Sequence, residues 1–394
     1  MEGERPREPQ QEDPEGGLTS PLAQGGLVSP PSIFLFVVFY FQKSAIISRN
    51  EVSMSTALQN IRDFLNHKTP HLLSVHHDSG AYRQCPDHRR MVEIACGVIA
   101  KDMALPASCN VLPSLFPDFG TVSMPAIYGG VKIPARDGGG IHITPVARTI
   151  GDVLKLTQKP FEETDFQRAL DMHGEICKRL GTDGIYLRAP DFQGPINTLA
   201  LLFEDQSELM MAMYDQPELV HEAARRVTDM LIDYTAKFRA AVGAEKHIGN
   251  IWPYTALIDG KGVSITQDYM PLLGSELYAE FELPYLKRIS DTFGGVFIHC
   301  CGYYGWHLPA LAASGIEIIG LECSNDHTPF SELHKHFGDR IAILCGGNGG
   351  HPTLASYLRS FKGQPCAKAR FWLCPCQDNP ELDDLRRALD ELAN

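Results

Sequence analysis

The chain has 394 residues, 44% of them hydrophobic, enough to bury one large core or two smaller ones. Its formal charge of −13 and isoelectric point near 5.6 leave no basic surplus for neutralising phosphates, which argues against a nucleic-acid backbone as partner. Eleven cysteines in a chain this long are not needed as disulfide staples. Their concentration after residue 300 suits a reducing cytoplasm with a thiolate metal site.

Met1 to Pro31 is rich in Pro, Gly, Glu and Gln, a composition that favours disorder. The apolar run Ile33 to Phe41 is far shorter than the roughly 20 residues of a membrane-spanning helix. The stretch before it is long and mixed in charge, unlike the short basic start of a signal peptide. Residues 1–53 are therefore expected to be a disordered or non-native extension. Residues 54–394 are expected to form a single folded domain that survives its removal.

From Met54 a strand and helix rhythm begins. A helix is expected over Ser55–Asn66 and a strand over Leu72–Val75, ending near His77. Asp87–Ala100 reads as a helix, and the Gly- and Pro-rich residues up to 160 read as loops or short antiparallel strands, a lid or insertion. The second half is clearer. Helices are expected over Asp165–Leu180, Ser207–Tyr214, Pro217–Val242, Glu276–Phe293, Leu308–Ala313, Phe330–Phe337, Thr353–Phe361 and Glu381–Leu392. Strands are expected over Gly184–Leu187, His247–Ile251, Val296–Ile298, Ile316–Leu321, Arg340–Leu344 and Ala369–Leu373.

Short buried strands alternating with helices imply a parallel sheet, because parallel strands need helical crossovers. Polar residues collect where these strands end: Asp191 and Gln193, Trp252 and Tyr254, His299 and Cys301, Glu322, Asn348, Cys374 and Cys376. In a closed (β/α)8 TIM barrel such ends meet on one face, where barrel enzymes keep their sites. No glycine-rich phosphate loop follows an early strand, which places an open doubly wound sheet behind the α/β barrel.

The stretch GGVFIHCCGYYGW, Gly294 to Trp306, carries the sharpest chemistry. Side chains alternate along a strand, so His299 and Cys301 share one face and Cys300 takes the other. An imidazole and a thiol so placed make half of a zinc site. They serve equally well as buried core residues, since free cysteine is among the most buried residue types.

Three stretches, GTDGIYLRAPDFQGPINTLALLF (181–203), MYDQPELVHEAARRVTD (213–229) and ISDTFGGVFIHCCG (289–302), together with ILCGGNGG (343–350), resemble the uroporphyrinogen decarboxylase superfamily. Within it they are similar to the cobalamin-dependent, corrinoid:thiol methyltransferase branch. The resemblance runs from about Leu58 to the end and implies the TIM barrel. It also implies zinc held by His299, Cys301 and a distant carboxyl-terminal cysteine, Cys374 or alternatively Cys376. The methyl group would come from a corrinoid (cobalamin) on a partner protein and pass to a small-molecule thiol or related acceptor. The decarboxylases carry an arginine-rich segment that grips tetrapyrrole carboxylates. The matching place here, His77 to Tyr82, has His77 and Ala81 where both arginines are expected. Losing two bidentate clamps is not a conservative change.

Two thiolates and one imidazole leave zinc an open position, the arrangement of a catalytic site. Glu322 is a candidate catalytic or orienting residue, and Asp191 a candidate catalytic residue, with Gln193, Trp252, Tyr254, Asn348 and His77 as substrate-binding candidates. Asp268 also resembles a family position, although an aspartate there equally caps a helix. The alternatives are a decarboxylase acting on another carboxylic acid and a non-catalytic corrinoid- or tetrapyrrole-binding protein.

Overall fold

The computed structural model describes residues 54–76, 87–134, 140–249, 255–324 and 326–393. The expected extension, and with it His77, Trp252 and Tyr254, lies outside them. The described residues form a mixed α/β fold whose long-range pairing is parallel. The strands are β1 (His71–Leu73), β2 (Ser114–Leu115), β3 (Lys132–Pro134), β4 (Ile141–Ile143), β5 (Tyr186–Arg188), β6 (His247–Ile248), β7 (Val263–Thr266), β8 (Val296–His299), β9 (Ile318–Ser324), β10 (Ala342–Gly346) and β11 (Arg370–Leu373).

A six-stranded sheet runs β1-β11-β10-β9-β8-β7, and a three-stranded sheet runs β2-β5-β6. Every pair in both sheets is parallel. The two meet where the chain beyond β5 lies against the end of β7. Thr266 N donates to Phe192 O at 2.9 Å, and Gly194 N donates to Thr266 O at 2.9 Å. Among the described residues the pairing does not close into a single eight-stranded ring. Two strands, β2 and β6, are only two residues long, too short to carry a continuous ladder.

Alternation explains the burial. Val296, Ile298 and Cys300 pack with helix residues in the main core, whereas Phe297 joins Leu72, Ala342, Leu344 and Trp372 on the other face. That second face is covered by a helix over residues 54–65, through Ala57, Ile61 and Phe64. Phe64 meets Trp372 edge to face, their centroids 5.4 Å apart. Strands buried on both sides read as nearly continuous apolar runs, as these do.

The structure departs from expectation at β7 and at the helix expected over Glu276–Phe293. β7 was not expected: Val-Ser-Ile-Thr carries hydroxyls at alternate positions and lies in a glycine-rich stretch, yet all four residues are buried. The single helix expected over Glu276–Phe293 is two, Ser275–Phe281 and Leu283–Phe293. Pro284 has no N–H and its ring crowds the carbonyl four residues back, so the chain breaks at Glu282. Within the expected lid or insertion, β3 and β4 pair as an antiparallel hairpin. Its base is held by Lys132, which pairs with Asp165 and donates to Phe119 O at 3.0 Å.

Candidate functional site

The site is built on the ends of β7, β8 and β9. β8 is preceded by Gly294 and Gly295, both at positive φ (75° and 126°). A Cβ on Gly295 would stand 2.8 Å from the Ile319 side chain, so glycine lets β8 and β9 approach there. The same need recurs at Gly320, where a Cβ would lie 2.4 Å from the Phe297 ring and 2.5 Å from Ala342 O. With Ile298 paired to Leu321, His299 and Glu322 become cross-strand neighbours. Their side chains are hydrogen-bonded, Nδ1 to the carboxylate. Cys300 is buried at 1% exposure and Cys301 is exposed.

β7 supplies the third element. Thr266 pairs with His299 in register, and Gln267 N donates to His299 O at 2.8 Å. Asp268 follows directly. Its carboxylate accepts from Cys301 N at 3.1 Å and stands 3.4 Å from His299 Nε2. His299 Nε2 is 3.1 Å from Cys301 Sγ. One donor atom each from Asp268, His299 and Cys301 therefore lies within 4.8 Å of the others.

Cys374 and Cys376 do not belong to that trio, whose third member is Asp268. β11 is separated from β8 by β9 and β10, and neighbouring strands stand about 4.8 Å apart, so a strand-end position does not by itself bring Cys374 to His299. Cys374 is half-buried beside the Trp372 cluster, and its carbonyl accepts from His76 Nε2 at 2.9 Å. Cys376 pairs with His76 in an isolated bridge. Asn348 lies in the turn beyond β10, where its carbonyl accepts from His351 N at 3.0 Å. The sequence singled out Asp268 by its resemblance to a family position; its place two residues past β7 is what brings it to His299.

Asp191 and Gln193 enter from the segment after β5. Gln193 donates to Asp191 and accepts from Asn197 Nδ2 at 2.8 Å, and Asn197 Oδ1 accepts from Tyr269 N at 2.8 Å. Thr266 Oγ1 donates to Asp191 at 3.2 Å. Burial pushes the Asp191 carboxyl up to about 6, against the Gln193 hydrogen bond and the nearby His299 charge that favour its ionised form.

No protein-family profile matches the chain. It is 26% identical over 223 residues to a uroporphyrinogen decarboxylase from Xanthomonas axonopodis pv. citri (strain 306), covering 53% of each protein. The chain thus spans about half the length of that curated relative. Its fold is similar to that of a methyltransferase from Methanosarcina mazei, with a TM-score of 0.57 and 14% identity over 84% of this chain and 97% of the other. Over the matched part, the chain is similar in sequence to that uroporphyrinogen decarboxylase.

The trio offers an imidazole nitrogen, a thiol and a carboxylate, all ligand types that zinc accepts. Glu322 on Nδ1 leaves Nε2 turned toward Cys301 and Asp268, the carboxylate–histidine arrangement that orients metal ligands. Burial alone would lower the basicity of His299. Glu322, Cys301 and Asp268 outweigh it and hold the imidazole well above its ordinary range. Burial has the opposite consequence for Cys300, whose thiol is pushed far up and kept neutral. No helix among the described residues is long and apolar enough to cross a membrane.

Proposed function

We propose that the protein is a zinc-dependent methyltransferase that moves a methyl group from a corrinoid carried by a partner protein to a thiol or related small-molecule acceptor. One observation carries the reading: His299 Nε2 and Cys301 Sγ stand 3.1 Å apart while Glu322 holds Nδ1. Zinc, when bound, would supply Lewis-acid stabilisation of an acceptor thiolate at neutral pH. His299 and Cys301 would hold it, with Asp268 or Cys374 completing the set. Glu322 fixes the imidazole tautomer, and Asp191 with Gln193 would present polar groups to the acceptor. The reading also takes the parallel strands to close into an eight-stranded barrel, whose carboxyl-terminal mouth collects these residues. It places the protein in the cytoplasm.

Metal analysis of the purified full-length chain tests it. About one equivalent of zinc is expected, falling to less than about half in Cys301→Ser. Zinc-free wild-type protein, or zinc indifferent to that change, would sink the reading.

Decarboxylation of a carboxylic acid is the second reading. Its support is Asp191, a desolvated carboxyl raised to about 6, as suits a group exchanging a proton near neutrality. Carbon dioxide release from candidate acids by metal-free protein would favour it. The replaced arginines at positions 77 and 81 weigh against a tetrapyrrole as that acid.

A further inference from the structure

Glu282 is a carboxyl group with no evident reason to be inside the protein. It is 3% exposed and sits in the break between two helices. No lysine, arginine or histidine among the described residues pairs with it. Its Oε1 accepts from Gln267 Nε2 at 2.7 Å. Gln267 in turn accepts from Tyr278 OH at 3.2 Å. The carboxyl also accepts from the backbone N–H of Ile196. It lies so close to Gly194 that a Cβ there would be 3.2 Å from Oε1.

These partners belong to two different loops. Gln267 immediately precedes Asp268. Gly194 and Ile196 immediately follow Asp191 and Gln193. The two loops otherwise touch through main-chain bonds at Thr266 and through Asn197 to Tyr269. We propose that Glu282 is a positioning residue that clasps the Asp191 and Asp268 loops together from beneath, setting their carboxylates relative to His299.

The groups facing Glu282 are the Tyr278 and Tyr285 hydroxyls, the Gln267 amide and the Ile196 N–H. None carries positive charge, so burial pushes the carboxyl up to about 8. The clasp is therefore closed by a neutral acid. An open loop would expose the group to water and return it to the ordinary glutamate range, about 4.3. Between those values opening releases a proton and grows easier as pH rises.

Amide hydrogen exchange on the full chain tests this, read on peptides spanning residues 190–200 and 264–273. Glu282→Leu keeps the side chain's bulk and removes its acceptors. Both segments are expected to exchange about tenfold faster or more, with little change elsewhere. Glu282→Gln, a neutral acceptor, should restore protection. If the leucine variant does not fold, wild type and Glu282→Gln suffice. Corrected for intrinsic rate, wild-type exchange in both segments should rise at least about tenfold between roughly pH 5.5 and 7.5, and the glutamine variant should stay flat. Unchanged exchange in the leucine variant, loosening of one loop alone, or a flat wild-type profile would each overturn the proposal. A second arm rests on the metal reading: zinc affinity should fall about tenfold in Glu282→Leu and not in Glu282→Gln. Absence of zinc from wild type would refute that reading while leaving the clasp to be decided by exchange.

Discussion

The imidazole of His299 and the carboxylate of Glu322 are hydrogen-bonded across adjacent parallel strands, Nδ1 to Oε2. That contact spends one ring nitrogen on orientation and leaves the other to face Cys301 and Asp268. Glu322→Gln keeps the shape but removes the charge that makes Nε2 a stronger donor to metal. Zinc affinity is expected to fall about tenfold, the low end for such partners, with folding stability nearly unchanged. Titration against a chromophoric chelator checks this, and wild-type affinity in the variant would deny Glu322 its orienting role.

At Gly320, β9 packs tightly between β8 and β10. A methyl group there meets the Phe297 ring and Ala342 O well inside contact distance. The ring can give way, but the carbonyl cannot without moving β10. Gly320→Ala should cost about 1–3 kcal/mol in denaturant unfolding. Because Glu322 lies two residues along the same strand, zinc affinity should drop as well. Stability within experimental error of wild type would show that the strands have slack.

His247, on β6, is 2% exposed, and neither ring nitrogen has a hydrogen-bond partner among the described residues. Burial, reinforced by Arg239, depresses its pKa to about 3. The unfolded chain takes up this proton first, near pH 6.5. Stability from this group is therefore full above that value and declines as pH falls toward 3. At about 1.4 kcal/mol per pKa unit, the loss is on the order of a few kcal/mol. His247→Phe, which keeps a ring beside Phe238, should flatten the acid limb of melting temperature against pH. An unaltered limb would refute the assignment.

Lys132 and Asp165 form a half-buried pair at the base of the β3–β4 hairpin, joined by Ser123, whose hydroxyl donates to Asp165 at 2.6 Å. Burial draws the lysine below its ordinary range even against the aspartate's pull. Lys132→Met leaves the carboxylate with Ser123 but no cation and should cost about 1–3 kcal/mol. Adding Asp165→Leu should recover much of that loss, because two apolar groups leave no unpaired charge. A double variant no more stable than Lys132→Met would contradict this account.

Much of this architecture was legible because burial on both faces leaves continuous apolar strands, as at Val296–Ile298 and Phe371–Leu373. Helix ends announced themselves through Pro217 and the glycines after Leu180 and Phe293. β7 was hidden by Ser264 and Thr266, which look solvent-facing in sequence and are buried in the fold. Losing that strand also hid why Asp268 faces His299. Cys374 was recognisable as a strand-end cysteine, but which strand ends share a site is not written in linear spacing. Glu282 escaped notice for a different reason: an acidic residue in a helical run normally faces solvent, and only the break imposed by Pro284 shows that it does not.

The opposed faces of Cys300 and Cys301 also decide how the protein meets oxidants. Adjacent cysteines have Cα atoms only about 3.8 Å apart, closer than disulfides usually span, and here their side chains diverge. A vicinal disulfide would require turning one of them through the strand. Peroxide or an alkylating agent therefore reaches Cys301 first, because it is exposed, while Cys300 lies in the core with its proton retained. Oxidative inactivation should begin at a single accessible sulfur, with the fold intact and the neighbouring thiol still reduced.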